Sequence, residues 1–344
     1  MKQLSINKDI SIANTINKSF YLDDFYFDLS LKNIFTHSWQ FLIHTNELGL
    51  YNNYPIIFLK DSINEEMLFT SNGKERCLLS NICTHRGSIL SNSNSNNNTI
   101  QCPYHGRKFN LDGTVKSAFG FGKNKNFPSE RDHLHKYKTI EFKNFIFGAI
   151  KPKIDISIIL DDISERLGHY PFHKLKYNKE NSQTYIINSH WALYCENYLE
   201  GMHVPFVHKG LNREISLSTY RTKIFKNGVL QYTKDSSNKD NLYAHYYWIF
   251  PNMMFNFYSW GLSINIVEPL EKERTRIRFL SYIIDGKKQP QNQSASIDTV
   301  ELEDQNIVES VQKGIKSHSY KTGTYSVEYE KGIHHFHRLI AKYL

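Results

Sequence analysis

Residues 83–106 read CTHRGSILSNSNSNNNTIQCPYHG, and this stretch contains two short loops that each offer one sulfur and one imidazole. The first loop places His85 two residues after Cys83, and the second places His105 three residues after Cys102. Each loop continues into a glycine, which tolerates the backbone conformations that a close approach of two loops requires. The stretch therefore predicts a metal site with four ligands.

The ligand set favours a Rieske-type [2Fe-2S] cluster on Cys83, His85, Cys102 and His105. Two thiolates would hold one iron and two neutral imidazoles the other, which leaves less negative charge on the cluster than four thiolates and raises its potential. Tetrahedral zinc is the alternative for two cysteines and two histidines. The spacings here differ from the C-x2-C and H-x3-5-H pairs of zinc fingers.

The bulk composition sets the broad class. With 344 residues, of which 40% are hydrophobic, the chain is long enough for two domains. No apolar stretch is long enough to span a bilayer and the N-terminus lacks an apolar signal core, so we expect a cytoplasmic protein that does not bind membranes. Four cysteines suit metal ligation better than a disulfide framework. The net charge of +8 is scattered among acids, which argues against nucleic-acid binding.

The order of strands and helices predicts three segments. Residues 1–38 form an N-terminal segment that packs on the catalytic domain, residues 39–155 form an all-β domain, and residues 156–344 form a second domain. In the second domain, strand patterns such as Lys223 to Lys234 succeed one another, with turn signals at Asn227-Gly228 and Asp285-Gly286, and indicate an antiparallel sheet. Two amphipathic helices close the chain. Their apolar stripes are Ile297, Val300, Ile307, Val308, Val311 and Ile315, and then Tyr329, Ile333, Phe336, Ile340 and Tyr343.

A second metal site is indicated by residues 191–208, which read WALYCENYLEGMHVPFVH. Asn197, Glu200 and His203 recur at a spacing of three, so on a helix they share one face. An acid and an imidazole would then point the same way.

His208 follows His203 by five positions, about 140° around an ideal helix, so the two imidazoles meet one metal only where the helix is interrupted. We expect Pro205 to interrupt it, by removing a backbone donor and pushing Val204 out of the helical region. The alternative is that both histidines are surface residues or satisfied core residues.

The penultimate helix offers a third ligand. Position 304 belongs to the buried stripe but is Asp, a costly choice unless the carboxylate is paired or bound to a metal. Glu301 and Glu303 lie off the centre of that stripe. Two imidazoles and one carboxylate make the facial arrangement that leaves open positions on non-haem Fe(II) for dioxygen and substrate. A carboxylate paired with Lys or Arg is the alternative for Asp304.

Taken together, the two loops followed by N-x2-E-x2-H-x4-H resemble the catalytic subunit of Rieske non-haem iron oxygenases, the aromatic-ring-hydroxylating family, over nearly the whole chain. The resemblance implies an α+β fold, in which an all-β Rieske domain precedes a helix-grip (START-like) domain with an antiparallel sheet and long helices. It implies that His203, His208 and Asp304 bind mononuclear iron. Glu303, Asp304 and Glu309 match the third-ligand region of the family.

The resemblance also implies a homotrimer, in which the cluster of one subunit feeds the iron of its neighbour through a carboxylate that touches the second cluster histidine. Here that bridge would run from Glu200 to His105. Most ring-hydroxylating members have Asp at the bridge. Glu200 and the stretch CENYLEGMHVPFVHKGL are similar instead to the branch that acts on quaternary ammonium compounds, such as carnitine, glycine betaine and choline. Arg107 also departs from the family, where Trp often follows the second loop.

These features imply an oxygenase that uses O2 and electrons from an NAD(P)H-dependent flavin or ferredoxin-type reductase to oxidise a small molecule. Glu200 and Asn197 are the residues expected to act in catalysis. A quaternary ammonium substrate would undergo N-demethylation or C–N cleavage; the alternatives are aromatic ring hydroxylation and a Rieske electron carrier with a non-catalytic binding domain. Aromatic side chains attract a trimethylammonium group, although most aromatics in strands are plain core. The candidates are Trp191, Tyr194, Phe206, Tyr247, Phe255, Tyr258 and Trp260.

Overall fold

The computed structural model describes residues 4–49, 51–73, 75–208, 220–233, 244–287 and 297–344. The chain divides into two compact units, one formed by Trp39–Lys153 and the other by Met1–Ser38 together with Ile154–Leu344. The N-terminal segment joins the second unit through the end of the chain, where Nε2 of His334 lies 2.7 Å from the carbonyl oxygen of Asn7.

The Trp39–Lys153 unit contains two antiparallel sheets, of order β1-β9-β8-β4-β3-β2 and β5-β6-β7. The strands are β1 (Gln40–His44), β2 (Asn53–Phe58), β3 (Glu65–Ser71), β4 (Arg76–Ser80), β5 (Ile100–Gln101), β6 (Lys108–Phe109), β7 (Val115–Ser117), β8 (Lys136–Phe142) and β9 (Phe145–Ala149). One candidate metal loop follows β4, and the other is the connection between β5 and β6. Buried apolar side chains from both sheets, including Leu68, Leu79 and Phe109, pack around Cys83 and Cys102.

The second unit is built on one antiparallel sheet of seven strands, of order β10-β16-β15-β14-β13-β12-β11. The strands are β10 (Leu175–Ile187), β11 (Tyr220–Phe225), β12 (Gly228–Thr233), β13 (His245–Ile249), β14 (Met253–Phe257), β15 (Gly261–Glu271) and β16 (Arg274–Ile284). The prediction of one strand beginning at Lys223 was wrong, because the Asn227-Gly228 signal turns the chain there and β11 pairs back on β12 as a hairpin.

Seven helices of the described residues belong to this unit, and they cover both faces of the sheet. They are α1 (Ser19–Leu22), α2 (Asp24–Asn33), α3 (Ser157–Arg166), α4 (Trp191–Tyr198), α5 (Val204–Val207), α6 (Ile297–Gly314) and α7 (Lys331–Tyr343). Successive side chains of a strand point to opposite faces. Accordingly, Tyr247 of β13 donates to Asp162 of α3 at 2.7 Å, whereas the next residue, Trp248, packs edge-on against Phe336 of α7. The predicted α+β class is confirmed.

None of the described helices combines the length and the apolar character needed to cross a lipid bilayer.

Candidate metal centres

The two candidate loops of the β unit, 83–88 and 102–107, share one backbone form. In each, the N–H of the cysteine donates to the carbonyl of the last residue at 2.8 Å, and the carbonyl of the cysteine accepts from the N–H of Gly87 or Gly106. These glycines have φ angles of +72° and +68°, a conformation that residues with a β-carbon rarely adopt. The loops are therefore equal in length, although the histidine comes one position later in the second.

The four predicted cluster ligands are arranged with sulfur inside and imidazole outside. Cys83 and Cys102 are each 2% exposed, and the Cys83 thiol hydrogen-bonds the Cys102 sulfur. The rings of His85 and His105 are 4.8 Å apart, with His85 half-buried and His105 exposed. This arrangement suits a binuclear cluster whose sulfur-bound iron lies deep and whose histidine-bound iron lies at the surface.

The two thiols differ in acidity. Burial raises the pKa of Cys83. Burial acts in the same direction on Cys102, but the backbone N–H groups of His105 and Tyr104 donate to its sulfur and the pKa of Cys102 is lowered. Donors aimed at sulfur stabilise the thiolate form that binds iron and tune the potential of a cluster. The donor set thus fits a Rieske cluster.

The predicted iron ligands of the second unit also converge. His203, His208 and Asp304 each place one ligand atom within 4.8 Å of the others. Oδ1 of Asp304 lies 3.0 Å from Nε2 of His208 and 3.6 Å from Nε2 of His203. His208 is 1% exposed. Two imidazole nitrogens and one carboxylate oxygen therefore face a common point, as a facial triad requires.

Two further carboxylates fix how the imidazoles are turned. Nδ1 of His203 lies 2.5 Å from Oε1 of Glu200, and Nδ1 of His208 lies 2.7 Å from Oε2 of Glu303. A carboxylate on one nitrogen of a ligating histidine holds its ring and leaves the other nitrogen free for metal. The predicted partner of Glu200 was a different residue, His105, and no contact was predicted for Glu303, although it is next to Asp304 in the sequence.

The environment of His208 favours a positive charge. Burial alone would lower the pKa of His208, but the hydrogen bonds and charges of Asp304 and Glu303 outweigh it and raise that pKa to about 9. The negative charges of the same two carboxylates would also stabilise a bound divalent cation.

The helix is interrupted before the two histidines, whereas an interruption between them was predicted. Helix α4 ends at Tyr198, and the Glu200 carboxylate accepts the backbone N–H groups of Met202 and His203, so the helix stops before Pro205. The expectation that Pro205 pushes Val204 out of the helical region was wrong. Val204 begins α5, and Pro205 lies in its first turn, where a missing N–H costs little.

The buried face of α6 also differs from the predicted stripe. Ile307 and Val311 are exposed, whereas Val308 and Ile315 are buried as expected. The buried positions include polar side chains that have partners: Glu301 accepts from the Tyr194 hydroxyl at 2.5 Å, and Gln312 accepts from the N–H of His190 at 2.9 Å. The pattern of apolar residues was therefore a poor guide to this helix face.

Comparison with known protein families matches residues 172–344 to the catalytic domain of the ring hydroxylating alpha subunit, and residues 38–128 to the Rieske [2Fe-2S] domain. The chain belongs to the ring-hydroxylating alpha-subunit family. It is the oxygenase component of a multicomponent Rieske system, and its cofactors are a [2Fe-2S] cluster and mononuclear iron, with O2 as cosubstrate.

The similarity to known proteins extends over nearly the whole of this chain. Choline monooxygenase of Beta vulgaris, a chloroplastic protein, is 28% identical over 94% of this chain and 76% of its own. The carnitine monooxygenase oxygenase subunit of Escherichia coli K12 is 29% identical over 96% of this chain and 94% of its own. A solved quaternary ammonium Rieske monooxygenase, described in terms of carnitine oxidation and inter-subunit electron transfer, is 25% identical with a TM-score of 0.80, covering 98% of this chain and 100% of that one.

The other predicted site residues of this alpha subunit have varied surroundings. Asn197 is half-buried in the last turn of α4. Glu309 accepts from the backbone and side-chain nitrogens of Asn188, at 2.8 and 3.0 Å. Phe206 is 80% exposed, and Trp191 packs edge-on against core aromatics such as Phe35.

A row of polar residues crosses the seven strands of the catalytic sheet, one residue for each strand. It is defined by cross-strand partners, which share a face, and consists of Asn178, Ser281, Ser263, Asn256, Tyr246, Gln231 and Thr222. Tyr198 ties this polar row to the end of α4, because its hydroxyl donates to Asn256 at 2.6 Å and its carbonyl accepts from Gln231 at 2.8 Å. The turn that leads to His203 starts at the same helix end.

Tyrosines gather around the polar row, and only Tyr258 among them was a predicted candidate. Burial, followed by the hydroxyls of Tyr246 and Tyr220, raises the pKa of Tyr198. Burial also raises the pKa of Tyr258, whose ring lies 5.9 Å from that of Tyr246 and stacks on Trp260 at 5.0 Å. The phenols of Tyr198 and Tyr258 therefore stay neutral at physiological pH, and all of these rings are electron-rich.

Proposed function

We propose that this oxygenase oxidises a quaternary ammonium compound at a carbon bound to nitrogen. The metal centres, when loaded, supply oxygen activation and the electrons for it. One oxygen atom enters the C–H bond, and the other leaves as water with two electrons and two protons. The product is a hemiaminal, which breaks into an amine and a carbonyl compound, so the outcome is N-demethylation or C–N cleavage.

The observation that carries this proposal is the excess of carboxylates at the triad. Glu200, Glu303 and Asp304 all contact the two imidazoles, and a divalent iron balances only two of these charges. Glu301 adds a further carboxylate, buried one turn away on α6. A site with net negative charge attracts a cation and offers nothing comparable to a neutral arene.

The tyrosines provide the second argument. Tyr220 is close enough to Glu200 for that charge to help raise the pKa of Tyr220, after burial, and Glu301 acts on Tyr258 in the same way. The phenol rings therefore lie near the same carboxylates as the triad. Ring faces beside carboxylates suit a trimethylammonium group, which has no hydrogen to donate and is held by charge and by cation–π attraction. We propose that these rings and the polar row line the substrate pocket.

Turnover assays test the substrate class. The iron-loaded protein, with a surrogate ferredoxin-type reductase and NADH, is given choline, glycine betaine, carnitine and γ-butyrobetaine beside toluene and naphthalene. We expect formaldehyde or trimethylamine from at least one of the ammonium compounds and no hydroxylated arene. Hydroxylated product from the arenes alone would overturn the proposal.

Variants of Tyr246 test the pocket. Tyr246→Leu removes the ring and is expected to weaken binding of the ammonium substrate at least tenfold, whereas Tyr246→Phe keeps the ring and should change it less than threefold. Equal losses in both variants would show that the hydroxyl, not the ring, holds the substrate.

We also propose that electrons arrive from an NAD(P)H-dependent reductase and cross between subunits of a homotrimer, from His105 of one chain to Glu200 of the next. The exposure of His105 supports this route, because its ring is accessible to a neighbour, and Glu200 already contacts the iron ligand His203. The net charge of +8 suits an acidic reductase. Cys77 and Cys195, the two cysteines outside the proposed cluster, form no disulfide, which fits the cytoplasmic location proposed from the composition.

Glu200→Gln tests the route in a single-turnover experiment. We expect the rate of cluster oxidation by O2 and substrate to fall at least tenfold, while the cluster potential and the size of the assembly stay unchanged. A normal rate in this variant would exclude Glu200 as the bridge.

A further inference from the structure

Arg107 is a buried cation at the end of the second cluster loop. Its side chain is 3% exposed, and arginine is almost never buried to this degree without a specific partner. Its backbone is part of the loop itself, since the carbonyl of Arg107 accepts the N–H of Cys102 at 2.8 Å.

The guanidinium of Arg107 reaches across to the first loop. Its Nη1 donates to the Thr84 hydroxyl at 3.0 Å and approaches Oδ1 of Asp132 at 3.4 Å. The Thr84 hydroxyl in turn donates to the Asp132 carbonyl at 2.7 Å. Thr84 stands between Cys83 and His85, so a single side chain connects the two loops that carry all four cluster ligands.

Two phenylalanines keep water away from this charge. The guanidinium carbon lies 4.7 Å from the ring centre of Phe121 and 4.9 Å from that of Phe127, and the edge of Phe121 also packs on His85. Among the described residues, Nε of Arg107 is buried without a hydrogen-bond partner. A cation in such surroundings is weakly screened, so its charge acts strongly on neighbouring groups.

Asp132 provides a counter-charge to Arg107, with Oδ1 at 3.4 Å from Nη1. Burial raises the pKa of Asp132, but the Ser129 hydroxyl and N–H, and then Arg107, outweigh it, so the carboxyl is ionised at neutral pH. The cation lies close to the ligands, because the Phe121 ring beneath its guanidinium also packs edge-to-face with the ring of His85, at 5.2 Å between ring centres. Adding one electron makes the cluster more negative by one charge, and a neighbouring cation stabilises that reduced form.

We propose that Arg107 is a positioning residue that ties the two ligand loops together and raises the reduction potential of the cluster. The inference rests on the cluster ligands proposed above.

The potential of the cluster in the full-length protein tests the proposal. It is measured by a mediated redox titration followed in the visible spectrum, with iron and sulfide content and the EPR spectrum of the reduced cluster as checks on assembly. Arg107→Gln keeps a donor for Thr84 and removes the charge. We expect its reduction equilibrium constant to fall at least tenfold, equivalent to 59 mV for one electron.

Two further variants separate charge from packing. Arg107→Lys keeps the charge but not the planar fork, so its equilibrium constant should stay within threefold of the wild type while chelators remove its iron faster. Asp132→Asn removes the counter-charge and should raise the equilibrium constant.

Together the three variants test both roles of Arg107 even if the cluster fails to form in one of them. An Arg107→Gln cluster within threefold of the wild type, or no rise in Asp132→Asn, overturns the electrostatic role. Equal rates of iron loss in the wild type and Arg107→Lys overturn the tying role. A wild-type protein without a reducible cluster would overturn the cluster ligands themselves, which is a separate and distinguishable failure.

Discussion

Glu303 accepts a hydrogen bond from Nδ1 of His208 at 2.7 Å, while the next residue along α6, Asp304, faces Nε2 of the same ring at 3.0 Å. Two consecutive acidic residues therefore hold the two edges of one imidazole. Glu303 sets the orientation of the ring, and Asp304 lies beside Nε2, the nitrogen that we propose binds iron.

We therefore expect Glu303 to contribute to iron affinity by holding the ring of His208, although it is not one of the proposed ligands. We expect Glu303→Gln to weaken Fe(II) binding about tenfold, the lower end of the usual effect of losing such a partner. Competition with a chromophoric chelator measures it. Glu309→Gln on the same helix is the matched control, because Glu309 contacts Asn188 instead of the triad. Equal losses in the two variants would argue against a specific role for Glu303.

The stability of the iron-free protein should depend on pH through His208. Its pKa is raised to about 9 in the folded chain, against about 6.5 when unfolded, so the folded state holds the proton more tightly. The stabilisation is fully present below pH 6.5 and is lost as the pH rises through 9. Thermal unfolding between pH 6.5 and 9.5 measures this. In His208→Asn the fall should be smaller, and a wild-type Tm that rises over this range would contradict the assignment.

Loss of a triad ligand should leave the cluster untouched. We expect His208→Ala to contain about two irons per chain instead of about three, with an unchanged visible spectrum, because the cluster ligands belong to the other compact unit. Iron quantitation together with the spectrum checks it. A variant that keeps all its iron would show that the triad is wrong.

The first cluster loop should tolerate a methyl group at modest cost. Gly87 has φ +72°, and among the described residues an added β-carbon there meets no heavy atom within 4 Å. Gly87→Ala is therefore expected to lose about 1 kcal/mol, from backbone strain alone. Denaturant unfolding of the cluster-loaded protein measures the loss. A loss several times larger would mean that the methyl group disturbs the cluster itself.

The sequence was most informative where the chemistry is local. From its cysteine to its glycine, each cluster loop is a motif of five residues. The backbone conformation of the loop follows from these two residues. Asp304 was also recoverable, because a carboxylate on an apolar helix face needs a partner. In these cases the cause of the structure lies within a few positions of the residue concerned.

Features that depend on competition between contacts were not recoverable. We expected Pro205 to interrupt the helix. Instead, the Glu200 carboxylate accepts the backbone N–H groups of Met202 and His203, so the helix already ends before His203. The side-chain oxygen of buried Gln312 finds its hydrogen-bond donor on a distant segment, the N–H of His190. No periodicity of the helix itself contains that information.

The polar row also depends on contacts between distant segments, because its seven members come from seven different strands. This arrangement has a consequence for how the substrate preference of the protein could evolve. Hairpins of consecutive strands each contribute two adjoining members of it, Tyr246 with Asn256 from β13 and β14, and Ser263 with Ser281 from β15 and β16. Recombination that exchanges one hairpin between homologous chains thus replaces one pair and keeps its neighbours. Because we propose that the polar row lines the substrate pocket, we expect substrate preference to change in steps, pair by pair, without passing through an intermediate that has lost the whole pocket.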